Sequence, residues 1–99
     1  MTSAGWSRRV VIATNFVERW RGLRRSSADA MLISTRSVHG LGMDRPLLAV
    51  GLDAHYRVIG WRVLSPNRII GLKGARHWLE LPVDDEPPPI GSFLEVTHV

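Results

Sequence analysis

The chain has no cysteine, which removes disulfides and thiolate metal sites from consideration. It also lacks a long apolar run. No stretch approaches the roughly 18 uninterrupted apolar residues of a membrane span. The apolar run behind Arg8 and Arg9 covers only Val10 to Ala13, short of the 7 to 15 or so residues of a signal-peptide core. A cytoplasmic protein with no membrane span is the expectation. Catalytic signatures are missing too. There is no GxSxG, no HExxH and no histidine pair at helical ligating spacing, and "GLKGAR" (Gly71–Arg76) lacks the order of a phosphate-binding loop. No metal site and no cofactor are expected.

What is present fits one globular domain over residues 1–99, with residues 1–7 as a flexible tail. Of the 99 residues 44% are apolar, near the globular average. The net charge of +4 is uneven. Residues 1–50 hold eight arginines against three carboxylates, a balance of +5, whereas residues 51–99 hold five basic and six acidic groups, a balance of −1. The excess is entirely N-terminal.

Hydrophobic periodicity divides the chain. "RRVVIA" reads as a first strand. Phe16, Trp20 and Leu23 then fall at i, i+4 and i+7, one stripe of a short amphipathic helix, with Asn15 and Glu18 placed for a capping box. From residue 30 onward, short apolar segments alternate with turn residues: Ala30–Ser34, Val38–Met43, Pro46–Asp53, Tyr56–Leu64, Arg68–Leu72, Arg76–Pro82 and Ser92–Val99. Their regular spacing predicts a mainly β fold, a mostly antiparallel sandwich or barrel, with the one helix packed on it.

Four groups of residues are candidates for function. In "SVHGLGM", Gly40 and Gly42 leave room for another backbone or a ligand beside His39 and Met43. Arg19, Arg21, Arg24 and Arg25 leave the apolar stripe and form a basic edge suited to an acidic partner or to phosphate. Trp61 and Trp78 lie on strands, where exposed rings stack on a sugar or base, although core packing is commoner. Asp53 and Glu80 are carboxylates able to orient His39. The acidic run Asp84–Glu86 reads as a solvated turn.

The order "AT…R-x-x-GL", "AMLI", "SVH…M", "P-L-x-x-V-x-LD", "V…L-x-P-x-R", "A-x-x-x-LELP" and "G-x-x-L-x-V" resembles the small bacterial and archaeal family called domain of unknown function 192, over about Val10 to Val96. The matching positions are Arg19, Gly22, Leu23, His39, Met43, Pro46, Asp53, Pro66, Glu80 and Gly91. The resemblance implies a compact, mainly β fold with one short N-terminal helix, and no reaction. Three departures stand out: Arg24 where the family has methionine, Leu41-Gly42 where it has aromatics, and Leu48 where it has aspartate.

The leading expectation is a non-enzymatic binding or protein-interaction module built on Arg19 and the His39–Met43 strand, with Trp61 or Trp78. One alternative is a small hydrolase-like enzyme pairing His39 with Asp53 or Glu80, which demands contact within about 3.2 Å or one bridging water. The other is nucleic-acid binding along the arginine edge, with steep salt dependence.

Overall fold

A computed structural model describes residues 1–13, 29–40 and 45–95. Among these residues nine strands are formed: β1 (Thr2–Ser3), β2 (Trp6–Ser7), β3 (Val10–Ala13), β4 (Ala30–Ile33), β5 (Ser37–His39), β6 (Leu47–Leu52), β7 (Val58–Leu64), β8 (Ile69–Gly71) and β9 (His77–Pro82). Five of them make one sheet in the order β3-β4-β9-β6-β7, while β1 pairs with β2 and β5 with β8.

This arrangement corrects the expected fold class. The centre is an open mixed sheet flanked by two ribbons, and no helix occurs among the described residues. The expected helix through Phe16, Trp20 and Leu23 lies outside the described residues. The departure from the expected strand pattern is the pairing of β3 and β4, which is parallel, Val10 opposite Ala30 through Ala13 opposite Ile33. A parallel pair needs a crossover of a dozen or more residues, which is the separation of Ala13 from Ala30. Turn-bounded strands at short spacing carry no sign of such a pair.

The sheet is covered on both sides. Ala30, Leu32, Leu48, Val50, Leu52, Val58, Leu79 and Leu81 pack on one face with Met1, Trp6 and Leu94. On the other, Ala49, Leu64 and Trp78 pack with Val38, Ala75 and the partly buried Ile70 and Leu72. The interior strand β6, LLAVGL, is accordingly buried at all six positions. An unbroken apolar run is what a strand covered on both faces requires.

Residues 1–7, expected as a tail, form the β1–β2 hairpin and supply Met1 and Trp6 to the core. Both central turn residues have positive φ, Ala4 at 47° and Gly5 at 85°, the geometry of a two-residue turn matched to strand twist. The hairpin is tied down from the far end of the chain. Trp6 Nε1 donates to the Glu86 carbonyl at 2.8 Å, and the Arg8 guanidinium, 5.0 Å from the Trp6 ring centroid, donates to both oxygens of Asp85 at 2.7 and 3.0 Å.

Candidate functional site

Among the described candidates, His39 and Asp53 do not come together. Arg19, Arg21, Arg24, Arg25 and Met43 lie outside the described residues. His39 ends β5 and is partly buried, with Nδ1 out of contact with solvent. Gly40 follows it, buried against the turn Ser65–Arg68, and its backbone bonds there twice: its N–H donates to the Arg68 carbonyl at 2.7 Å and its carbonyl accepts from Asn67 at 3.0 Å. A Cβ at Gly40 would overlap the Ser65 carbonyl oxygen and lie 3.2 Å from Pro66 Cα. The glycine serves backbone approach, not a ligand.

Asp53 is at the other end of the molecule. It follows Leu52, the last residue of β6, whereas the turn holding Gly40 follows Leu64, which pairs with Leu47, the first. The ends of a six-residue strand are about 16 Å apart. The His39–Asp53 pairing is therefore not formed. Asp53 instead organises its own turn: Oδ1 accepts from the N–H groups of His55 at 2.8 Å and Arg57 at 2.9 Å. The Arg57 N–H bond, more than any other contact, holds the Asp53 carboxyl below its ordinary range.

Glu80 sits in β9 between Met31 of β4 and Ala49 of β6 and is fully buried. Trp78, offered as a stacking surface, is fully buried as well, and its Nε1 has no hydrogen-bond partner among the described residues. It cannot stack on a ligand. Nor do the two strand tryptophans share a face. Trp61 is opposite Val50 and Trp78 opposite Gly51, neighbours along β6 whose side chains point to opposite sides.

A contact that sequence spacing does not announce joins Ser34 to His77. Antiparallel pairing sets Ile33 opposite Trp78, so the next pair outward is Ser34 and His77, 43 residues apart. Ser34 Oγ lies 2.8 Å from His77 Nδ1, and the Tyr56 ring lies against the imidazole at a centroid distance of 4.6 Å. Burial pushes the His77 pKa down, against a smaller upward pull from Asp53. A neutral imidazole beside a hydroxyl is two parts of an activated nucleophile. The orienting acid is missing, since no carboxylate among the described residues hydrogen-bonds the ring.

A further surface is the outer edge of β7. This strand ends the sheet, with β6 on its inner side. On its outer side the described part of the C-terminal segment pairs only around its start, Arg57 with Phe93, Val58 N–H to the Ser92 carbonyl at 2.8 Å and Gly91 N–H to the Val58 carbonyl at 2.7 Å. Two residues thus face one, with Gly91 at φ 88°, the form of β-bulge in which glycine takes the left-handed conformation and pairing stops. Beyond it, Gly60–Leu64 has no partner strand on that side among the described residues. Trp61 and Val63 point to the same side of the sheet and are 40% and 48% exposed. No family model, no curated protein and no solved structure matches this chain. The edge and its residues carry the functional argument alone. No group of three or more His, Asp or Glu able to hold a metal occurs among the described residues, and among them no helix is long and apolar enough to cross a membrane.

Proposed function

We propose that this chain is a binding module that receives an extended segment of a partner protein along the outer edge of β7. An edge strand presents a row of N–H and C=O groups ready for pairing. Strand addition uses those groups for affinity and the alternate side chains for selectivity. The observation carrying this reading is the exposure of Trp61 and Val63 on a strand whose outer pairing, among the described residues, stops at Val58. Ile90 and Phe93, on the segment flanking that stop, are also exposed. Tryptophan is among the residue types that concentrate binding energy at interfaces.

A pairing of His39 with Asp53, which a hydrolase would use, gains no support from side chains at opposite ends of β6. The test is a titration with a neutral, end-blocked peptide of about eight residues, a usual strand length, with valine alternating with serine. Backbone amide shifts of Gly60–Leu64 should move progressively in the natural chain. They should move several-fold less at equal peptide in a Trp61→Ser, Val63→Ser double variant. Shifts confined to other strands, or identical titrations of the two proteins, would contradict the reading.

A further inference from the structure

We infer that the segment received by β7 is acidic, its carboxylates alternating with apolar residues; this inference rests on the edge-binding reading. A strand added to β7 continues the pleat, so its side chains fall in turn beside the two faces of the edge. On one face they meet Trp61 and Val63. On the other they meet Arg62, which is exposed and lies opposite Ala49 in the register. The partner's apolar residues belong with the first pair and its carboxylates with the second.

The cations along this margin form no ion pair among the described residues. The Arg62 guanidinium donates to the carbonyl of Trp61 at 2.7 Å, and that of Arg57 to the carbonyl of Gly91 at 3.3 Å. Arg68, exposed, follows four residues after the end of β7. None of these three forms an ion pair among the described residues, where the ion pairs are Arg8 with Asp85 and Arg9 with Asp29. Asp53, whose carboxyl accepts from the Arg57 N–H, is also stabilised by the Arg57 charge and offsets that one cation. Arg62, exposed and without an ion pair among the described residues, therefore keeps a positive charge on the open stretch of the edge. Across paired strands, opposite charges attract and like charges repel.

The same charge argues against a second copy of the chain as occupant. Two β7 edges paired antiparallel would bring both copies of Arg62 onto one short stretch. A charged residue on an edge strand is a common guard against such self-pairing. The guard that disfavours a copy favours an acidic strand.

The experiment compares three end-blocked peptides of about eight residues, valine alternating with glutamate, serine or lysine, by calorimetric titration of the full chain. The glutamate peptide is expected to bind about tenfold tighter than the serine peptide, a difference of one decade in Kd, and the lysine peptide weakest. Raising the salt from roughly 50 to 300 mM should narrow the gap, because exposed charges are screened. Arg62→Glu, a change at an exposed position checked for fold by circular dichroism, should reverse the order of the charged peptides. Equal affinity of the glutamate and serine peptides would overturn the acidic preference and leave edge binding standing. Failure of all three to bind would overturn both. Sedimentation showing a dimer that disappears in the Trp61→Ser, Val63→Ser variant would overturn the acidic occupant in favour of a second copy.

Discussion

Gly40 shows how a single residue is held by its surroundings. Its Cα faces the Ser65 carbonyl so closely that an alanine methyl must displace backbone, not a movable side chain. Gly40→Ala is expected to cost about 1–3 kcal/mol, the usual penalty of overpacking, read as a lower midpoint in urea unfolding. A loss below about 0.5 kcal/mol, the scale of ordinary surface substitutions, would show that the turn yields freely. The two glycines of "SVHGLGM" announce a need for space, and at Gly40 the visitor is the chain's own Ser65–Arg68 turn. That turn was itself legible, because proline followed by asparagine suits its two central positions, with Asn67 at φ 62°. What spacing did not carry was the meeting of the two.

His77 gives a pH dependence with a definite sign. Burial lowers its pKa below 6.5 in the folded chain, so between the folded value and 6.5 the unfolded chain binds more protons. Stability therefore falls as pH drops through that window, and the effect levels off below the folded value. His77→Gln, which can still bond Ser34, should flatten the change in Tm between about pH 7.5 and 5. An unaltered slope would show that the imidazole is not the group responsible. Neither Ser34 nor His77 stands out in the sequence, since only the register of β4 on β9 brings them together.

At the scale of elements, periodicity located most strands within a residue or two. β6 reads as a strand because its apolar run is short and bounded by Pro46 and Asp53, and its complete burial follows from cover on both faces. In β9 the alternation of Trp78 and Glu80 with His77, Leu79 and Leu81 marks two faces correctly, but alternation does not say that both are buried. The acidic run after β9 reads as a solvated turn, yet Asp85 clasps the N-terminal hairpin. The Arg8 bond holds the Asp85 carboxyl below its ordinary range, so this contact adds stability above pH 3.8 and loses it as pH falls through the folded pKa. Arg8→Ala should cost about 1 kcal/mol near neutral pH, in the range of partly exposed ion pairs. The difference from the natural chain should shrink in acid. A cost independent of pH would assign the contribution of Arg8 to its packing on Trp6 and not to Asp85.

Across the whole molecule, local signals leave the topology undetermined. Nothing in "VVIA" distinguishes a strand parallel to its successor from an antiparallel one, and nothing in residues 1–7 announces a hairpin whose anchor, Glu86, lies 80 residues away. The candidate residues were chosen by type and spacing, and the sheet scatters them: His39 and Asp53 to opposite ends of β6, Trp78 and Glu80 into the interior, Trp61 to the margin. Of these, only Trp61 lies on an edge stretch with no partner strand among the described residues, just beyond the bulge at Gly91 where the outer pairing ends. The most direct measurement of that edge is amide hydrogen exchange, residue by residue, in the free chain and in the chain saturated with the glutamate–valine peptide. Exchange at the outward-facing amides of Gly60–Leu64 should slow on saturation while that of β4 and β9 stays unchanged; unaltered exchange in β7, with protection arising elsewhere, would contradict the account.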